Sequence, residues 1–279
     1  GVDNTPNIVL KNLSHEFYKK LTILFNQLYN IGHFPRGWKH GVVVPVRKRG
    51  KDPFSATSYR PITLLTGLSK IFEICIAQKI LEHSDHHKII PENQFGFKRF
   101  HGTNHALLKF QTDITINSQI KKPTVAISLD VEKAFDTTWT NGLLYKMISY
   151  NFHPQICSIV KNFMCNRISQ VKINNLLSSI YSPSAGVPQG SVLGPLIFNL
   201  YMSDIPQPSD HRLHQILYAD DTLIYSTSWS SSIANSLLNN HLQNLNIFFW
   251  HTKTNRFLAY RYYSNYACTE NSQNKILKQ

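Results

Sequence analysis

Residues 214–225 read His-Gln-Ile-Leu-Tyr-Ala-Asp-Asp-Thr-Leu-Ile-Tyr, with two adjacent carboxylates between two apolar runs. The flanking residues 216–218 and 223–225 are typical of short strands, so the pattern predicts a hairpin with the acidic pair at its tip. Successive strand residues face opposite sides of a sheet, whereas a tight turn lets Asp220 and Asp221 point into one site. Because neighbouring anions repel, this arrangement indicates a bound cation. Asp is also a favoured turn residue, so an isolated pair is equally typical of an ordinary surface turn.

The composition favours a polyanionic partner. The chain has 279 residues and a formal net charge of +13, from 29 Lys and Arg against 16 Asp and Glu. This balance points first to nucleic acid and second to an anionic membrane surface, although a basic surface can also serve solubility alone. The length suffices for one large domain or two modest ones.

Several classes of protein are disfavoured by what the sequence lacks. The cysteines at positions 75, 157, 165 and 268 show no metal-binding spacing, which predicts free thiols in a reducing compartment. No apolar run reaches 18 residues and the N-terminus has no signal-like pattern, so we expect neither a transmembrane helix nor a secretory signal. Among the two polyanionic partners we expect nucleic acid and no membrane. The chain starts without Met, and we expect it to be a fragment of a longer protein.

Periodicity along the chain predicts alternating helices and strands. The helix that follows residue 68 is expected to begin with Ser69 as its N-cap. Residues 226–246 suggest one more helix, whereas residues 250–279 show no clear period. The other predicted helices span residues 12–31, 69–83, 104–117, 141–150, 154–165 and 196–202, and the other predicted strands span residues 41–46, 125–130 and 170–174.

Four further stretches carry candidate functional groups, each with a plain structural alternative. Residues 47–53 form a basic turn that can meet phosphates or simply be solvated, and Arg60 has a planar fork that can hold a phosphate. Residues 94–103 interleave aromatics and cations, as in single-strand binding or in a loop anchored to a core. Asp130 ends a strand, where a catalytic group or an N-cap is expected. Residues 184–195 are rich in Gly and Pro, so they form either a ligand-contacting entry to a helix or a long structural loop.

Five of these stretches occur in the order of one family. The chain resembles the reverse transcriptase domain of non-LTR, LINE-type retrotransposons, in a form close to the jockey-like insect elements. The matching motifs are Tyr-Arg-Pro-Ile at 59–62, Gln-Phe-Gly-Phe at 94–97, Leu-Asp-Val-Glu-Lys-Ala-Phe-Asp at 129–136, Gly-Val-Pro-Gln-Gly-Ser-Val-Leu-Gly-Pro at 186–195 and Tyr-Ala-Asp-Asp at 218–221.

The resemblance implies an α+β fold, a right-hand polymerase with fingers and palm. The palm would be a small antiparallel sheet that carries the Tyr-Ala-Asp-Asp hairpin and is backed by helices, with a thumb that is missing or degenerate. The implied divisions are an N-terminal helical extension (1–40), fingers with part of the palm (41–125), the palm with the catalytic motifs (126–250) and a divergent tail (251–279), because the sequence after Trp250 departs from the family pattern.

The resemblance also implies an RNA-directed DNA polymerase, a nucleotidyltransferase that joins a dNTP to the 3′-hydroxyl of a DNA primer on an RNA template. Asp130 would face Asp220 and Asp221 across neighbouring strands as the catalytic carboxylates. With Val131, these three would bind two Mg²⁺ ions, for which Mn²⁺ is a possible substitute. The implied nucleotide-binding residues are Lys48, Lys51, Arg60, Val131, Glu132, Phe135, Gln189 and Gly190. Those implied for nucleic acid are Gln94, Phe95, Gly96, Lys98, Arg99 and Tyr218.

Within this group, Phe135 would be the steric gate that excludes a ribonucleotide 2′-hydroxyl. The family also implies an intracellular location, in the nucleus or in a cytoplasmic ribonucleoprotein. Two alternatives stay open at this point: a catalytically silent remnant that only binds nucleic acid, and another two-metal palm enzyme such as a nucleotide cyclase. The Gln189-Gly190 loop and the basic fingers argue against a cyclase.

Overall fold

The computed structural model describes Asp3 and residues 5–131, 133–252 and 257–264, with the backbone alone for residues 250–251 and 257–264. The helices are α1 (Asn7–Lys11), α2 (His15–Asn30), α3 (Gly67–His86), α4 (Thr103–Gln119), α5 (Thr140–Ser149), α6 (Pro154–Met164), α7 (Leu193–Tyr201) and α8 (Ser231–His251). The strands are β1 (His40–Arg47), β2 (Tyr59–Leu64), β3 (Thr124–Val131), β4 (Ile168–Ile173), β5 (Leu176–Leu177), β6 (Leu213–Tyr218), β7 (Asp221–Thr227) and β8 (Phe257–Ser264). Short 3₁₀ turns cover Arg36–Lys39, Ala56–Ser58 and Ala134–Thr137.

The first of two compact units comprises Gly1–Ile89 and Phe135–Tyr201. Its sheet has the order β2-β1-β4-β5, in which β1 is antiparallel to β2 and parallel to β4. The sheet is accompanied by an aromatic core in which Phe34 and Phe72 lie with ring centroids 5.8 Å apart, both inaccessible to solvent. Tilted aromatic pairs of this kind stabilise a core by more than the buried apolar area alone.

The second compact unit comprises Ile90–Ala134 and Met202–Gln279. Its sheet has the order β6-β7-β3-β8, and every neighbouring pair is antiparallel. Helix α4 packs on β6, and α8 packs on β7 and β3. The predicted fold, a small antiparallel sheet that carries the hairpin and is backed by helices, is therefore confirmed. Both units are discontinuous in sequence, whereas the predicted divisions are contiguous, and those divisions stay predictions.

One local prediction differs from the structure, and one strand was not predicted. The N-cap of α3 is Thr66, whose hydroxyl accepts a hydrogen bond from the backbone N–H of Ser69, so Ser69 lies inside the helix. The tail after residue 250 also contains regular structure, because β8 pairs with β3 from Thr124↔Ser264 to Val131↔Phe257. Strand pairing of this length makes part of the tail a component of the sheet.

Two further expectations concern the cysteines and membrane-spanning helices. Cys75, Cys157 and Cys165 are free thiols, as predicted, and Cys268 lies outside the described residues. Across those residues, none of the helices combines the length and the apolar character needed to span a bilayer.

Candidate active site

The acidic pair lies at the tip of the hairpin formed by β6 and β7, as the sequence predicts. The last strand pair is Tyr218↔Asp221, so only Ala219 and Asp220 form the connection. Ala219 has a φ of 56°, in the left-handed region. A residue with a side chain adopts this conformation at a cost, and surrounding contacts normally hold it there.

Asp130 reaches the same end of the sheet from the neighbouring strand. Strands β3 and β7 pair antiparallel as far as Leu129↔Thr222. One further step in this register sets Asp130 opposite Asp221, and both residues are exposed, whereas Leu129 and Thr222 are buried on the other face. Alternation along the strands therefore directs both carboxylates to the solvent-accessible face. The prediction that Asp130 lies across neighbouring strands from the acidic pair is confirmed.

The three carboxylates affect one another electrostatically. Burial is the main cause that raises the pKa of Asp220, a backbone hydrogen bond partly offsets it, and the charges of Asp221 and then Asp130 raise the pKa further. Although Asp221 is exposed as a residue, partial desolvation of its carboxylate raises its pKa, and the charge of Asp130 raises that pKa as well. Like charges oppose each other's ionisation, so a cation that approaches this edge of the sheet relieves a repulsion already present in the protein.

The carboxylates fit a divalent cation in one specific way. Among the described residues, no group of three or more His, Cys, Asp or Glu side chains is arranged as a ready-made metal site. The oxygen donors are nevertheless those that Mg²⁺ prefers, and Mg²⁺ often binds through one or two carboxylates together with substrate phosphates and water. The Val131 side chain is aliphatic and buried, so only its backbone could contribute to binding of the cation or the nucleotide. These donors suit an ion that arrives together with a nucleotide. Glu132, the neighbouring predicted nucleotide-binding residue, lies outside the described residues.

The Gln-Phe-Gly segment contacts the hairpin instead of forming an exposed surface. The Gln94 side chain is 2% exposed and accepts hydrogen bonds from the backbone N–H groups of Gly96 (2.8 Å) and Ala219 (3.0 Å). Phe95 packs against the buried cluster that contains Ile216, and Tyr218 packs on the same cluster. The amide of Gln94 is thus buried in contacts with the turn, and the prediction that Gln94 binds nucleic acid stays a prediction.

The cations that follow this segment are more accessible. Arg99 is exposed and lies with its guanidinium carbon 5.8 Å from the ring centroid of Phe100, which is 90% exposed. Lys98 is half-buried. An exposed cation beside an exposed ring can contact both the phosphate and the base of a nucleic acid, so Arg99 stays a candidate for the predicted role.

The predicted triphosphate residues lie in the first unit, on and around β1 and β2. Arg60 is exposed on β2, where its backbone pairs with Val46. Lys51 is exposed in the connecting turn, and Lys48 donates from Nζ to the backbone oxygen of Thr57 at 3.1 Å. Arg60 and Lys51 are thus open to solvent, and their role in phosphate binding stays a prediction.

The Gly-Pro-rich loop packs directly on β2. The backbone N–H of Thr63 donates to the carbonyl of Gln189 at 2.6 Å, and the Gln189 side chain donates to Asp136 at 3.2 Å. Gly190 has a φ of 109°, and a Cβ added there would lie 2.8 Å from the carbonyl oxygen of Thr63. A residue with a side chain at position 190 would therefore adopt an unfavourable φ, and its Cβ would lie too close to the carbonyl oxygen of Thr63.

The predicted sugar gate is a partly packed aromatic ring. Phe135 is half-buried and stacks on Phe198, with 4.6 Å between ring centroids and 29° between planes. Phe198 is fully buried in α7. One face of the Phe135 ring is thus fixed by packing, which limits its rotamers.

The sequence analysis missed Glu73, a buried carboxylate on α3. Its side chain is inaccessible to solvent and accepts hydrogen bonds from the hydroxyl of Ser69 (2.8 Å) and the N–H groups of Val192 (2.7 Å) and Leu193 (3.1 Å). Burial raises the pKa of Glu73, against the lowering effect of these hydrogen bonds. The carboxylate caps the N-terminus of α7, where negative charge is favourable, and joins the Gly-Pro-rich loop to α3.

Replacing Glu73 with Leu is expected to lower the free energy of unfolding by about 3–5 kcal/mol, because three buried donors lose their acceptor. Urea titration followed by circular dichroism measures this change. Glu73→Gln keeps one acceptor oxygen and is expected to cost less. A loss below about 1 kcal/mol for Glu73→Leu would show that solvent or another group replaces the carboxylate.

Comparison with known proteins shows a family for this chain. Residues 46–268 match the family model described as reverse transcriptase (RNA-dependent DNA polymerase). The RNA-directed DNA polymerase from mobile element jockey of Drosophila melanogaster is 36% identical over 251 residues, which are 87% of this chain and 27% of that protein. The probable RNA-directed DNA polymerase from transposon X-element of the same species is 36% identical over 208 residues, 75% of this chain and 23% of that protein.

A solved structure shares the fold at low sequence identity. The apo telomerase from Candida tropicalis superposes with a TM-score of 0.58 at 10% identity, covering 91% of this chain and 50% of that one. The chain spans about a quarter of the length of the curated relatives it matches, at 27% for the jockey polymerase.

Proposed function

Because the chain belongs to the reverse transcriptase (RNA-dependent DNA polymerase) family, we propose that it carries the polymerase centre of a non-LTR retrotransposon and copies an RNA template into DNA. The observation that carries the proposal is the register of β3 against β7, which sets Asp130 opposite Asp221 at the tip of the acidic hairpin. This arrangement supplies three carboxylates from two distant parts of the sequence at one end of one sheet.

In this proposal, Asp130, Asp220 and Asp221 hold two Mg²⁺ ions, for which Mn²⁺ can substitute, with the backbone of Val131 beside them. When bound, such ions lower the pKa of the primer 3′-hydroxyl and neutralise the charge of the leaving pyrophosphate. The carboxylates fix where the reacting oxygens lie, so the protein contributes positioning and charge instead of a covalent intermediate.

The other side chains of the proposal bind and select the dNTP. Arg60, Lys48 and Lys51 are cations on or between two paired strands, and they bind the triphosphate. Gln189 and Gly190 contact the incoming nucleotide. Their loop is held on β2 by the hydrogen bond from the backbone N–H of Thr63 to the carbonyl of Gln189. Glu132 is assigned with Val131 to the triphosphate through backbone N–H groups. The location that follows is intracellular, in the nucleus or in a cytoplasmic ribonucleoprotein.

The partners of the proposed reaction are an RNA template, a DNA primer and dNTPs. Incorporation of dTTP on a poly(rA) template with an oligo(dT) primer and Mg²⁺ tests the proposal. Incorporation that needs both the template and Mg²⁺ supports it. Binding of the hybrid without incorporation would favour the silent remnant that only binds nucleic acid.

Affinity for nucleic acid is expected to fall steeply with salt, because a chain of net charge +13 releases counterions from the phosphates it contacts. On duplex DNA we expect about 0.9 log units of affinity lost per log unit of salt for each phosphate contact, and an RNA–DNA hybrid should show the same trend with a different slope. Fluorescence anisotropy between about 50 and 200 mM salt measures the slope.

Arg99→Gln should reduce that slope by close to one unit, since it removes one exposed cation from the segment proposed to meet the strand. Lys11→Gln removes the same charge at an exposed position of α1 and should leave the slope unchanged. A flat salt dependence for the unmodified chain would show that its basic surface does not follow a phosphate backbone.

A further inference from the structure

We propose that Gln94 is a positioning residue, which holds the backbone of Ala219 and thereby fixes where Asp220 and Asp221 stand. The inference rests on the proposed function, because it concerns the hairpin that carries the proposed metal ligands. Gln94 itself touches no reacting group in this proposal. Gln94 acts indirectly, because it fixes the backbone conformation of the turn that carries the carboxylates.

The hydrogen bonds of the Gln94 side chain are directed at the turn. Its Oε1 accepts from the N–H of Gly96 at 2.8 Å and from the N–H of Ala219 at 3.0 Å, and its Nε2 lies 3.5 Å from the carbonyl oxygen of Ala219. The side chain is 2% exposed, so water does not compete for these donors. One amide thus contacts both the N–H and the carbonyl of the residue that precedes Asp220.

Ala219 is the residue that needs such support. Its φ of 56° lies in the left-handed region, and its methyl group offers no local hydrogen bond that would stabilise this conformation. Asp220 follows directly, so a change in the conformation of Ala219 rotates the direction in which the Asp220 carboxylate points. The acceptor that holds the N–H of Ala219 therefore determines the orientation of the acidic pair.

Gln94 is itself anchored to the sheet independently of its side chain. The N–H of Phe95 donates to the carbonyl of Leu217 at 2.8 Å, and the N–H of Leu217 donates to the carbonyl of Asn93 at 2.9 Å. These backbone bonds attach the segment alongside β6, next to the turn. Removing the Gln94 amide therefore leaves this backbone attachment in place and takes the side-chain acceptor away from the N–H groups of Ala219 and Gly96.

Gly96 gives a second, steric indication of the same contact. A Cβ added at Gly96 would lie 2.2 Å from the backbone nitrogen of Ala219, a distance that no side chain can occupy. The two backbones therefore touch, and glycine at this position lets the segment support the turn from behind. The sequence Gln-Phe-Gly at 94–96 thus combines an acceptor for the turn with the space for close approach.

The test uses Gln94→Met in the full chain, because Met has a similar length but offers no comparable acceptor for an N–H group. Amide hydrogen exchange should become at least about tenfold faster at Ala219, while the amide of Leu217 stays protected. Mn²⁺ titration followed by electron paramagnetic resonance should show at least about tenfold weaker binding. Gln94→Glu retains the acceptor oxygens and should keep the Ala219 amide protected.

The matched control is Tyr225→Phe. It removes a partly buried hydrogen bond to Asp113 in the same unit, and this bond does not involve Ala219. It should lower thermal stability but change neither Ala219 exchange nor Mn²⁺ affinity. If Gln94→Met exposes the Leu217 amide as well, Gln94→Asn replaces it, because its amide is one methylene too short for the same bonds.

Three outcomes overturn the inference: unchanged Ala219 exchange in Gln94→Met, unchanged Mn²⁺ affinity in Gln94→Met, or an equal loss of Mn²⁺ affinity in Tyr225→Phe. Failure of the proposed function has a different signature, because Asp220→Asn would then leave Mn²⁺ binding unchanged. When Asp220→Asn abolishes Mn²⁺ binding and Gln94→Met does not alter it, the proposed function stands and the role of Gln94 falls.

Discussion

Replacing Asp220 with Asn is expected to abolish RNA-templated DNA synthesis while leaving the protein folded. Asp220 occupies the hairpin tip, and its charge interacts with those of Asp221 and Asp130. Asn has nearly the same volume but carries no negative charge, so the cations needed for the transfer lose one of their ligands. We expect the rate to fall at least about 1,000-fold, roughly 4 kcal/mol of added barrier.

The same substitution should not lower thermal stability. Burial and two neighbouring carboxylates raise the pKa of Asp220, which means that its ionised form is disfavoured in the folded protein. A neutral amide removes that repulsion, so the melting temperature should stay level or rise in metal-free buffer. Asp85→Asn removes the same charge at an exposed position of α3 and serves as the control.

Primer extension and thermal unfolding, measured on the same preparations, decide this prediction. Synthesis within about tenfold of the unmodified chain, or roughly 1.4 kcal/mol, would remove Asp220 from the proposed centre. A large fall in melting temperature with Asp220→Asn would instead assign it a structural role. Asp85→Asn should extend primers at the unmodified rate.

The second large effect is expected at Phe135. Its ring is half-buried and held against Phe198, so it has a fixed position from which a 2′-hydroxyl would be excluded. Phe135→Val removes most of the ring without touching the carboxylates. Selectivity for dNTPs over rNTPs should therefore fall at least about tenfold, about 1.4 kcal/mol, with a much smaller fall in dNTP incorporation than Asp220→Asn causes.

A purely structural Phe135 would behave differently. Loss of a packed aromatic side chain leaves a cavity and costs about 3–5 kcal/mol of stability. Single-nucleotide incorporation of dNTP and rNTP, with thermal unfolding of the same variant, separates the two roles. Unchanged sugar selectivity together with a large loss of stability would show that Phe135 is a core aromatic.

The local pattern of the sequence was sufficient to predict the hairpin. Apolar residues on both sides of Asp220 and Asp221 predict two strands, and β6 and β7 are those strands. The partnership with Asp130 does not follow from periodicity, because some 90 residues separate it from the pair in sequence. It came from the family resemblance, and the register of β3 against β7 supplies the physical reason.

Gln94 and Glu73 show why polar residues were harder to assign. Glu73 shares a helix face with Ile76 and Ile80, all buried, so its spacing was a usable sign of a buried carboxylate. Gln94 had no such sign, because the N–H groups that it binds become neighbours only when the chain folds around β6. Buried polar groups are paired by tertiary structure, which local patterns do not contain.

The strand in the tail could not be predicted for a related reason. Residues 257–264 are rich in aromatic side chains, which favour strands, but they lack the alternation that identifies a half-buried strand. Strand β8 forms because β3 offers it an unpaired edge along Thr124–Val131. Whether a segment forms a strand can depend on an unpaired edge elsewhere in the sheet, which the local sequence does not reveal.

In our proposal, the carboxylates on β3 and at the β6–β7 tip form an RNA-directed DNA polymerase centre. Single-nucleotide incorporation opposite each of the four RNA template bases tests it, in the chain alone and in a chimera where it replaces the matching segment of the Drosophila melanogaster jockey polymerase. We predict incorporation of the complementary dNTP in each case, dependent on Mg²⁺ and lost in Asp220→Asn. Absence of incorporation in a folded chimera, or equal incorporation by Asp220→Asn, would contradict the claim.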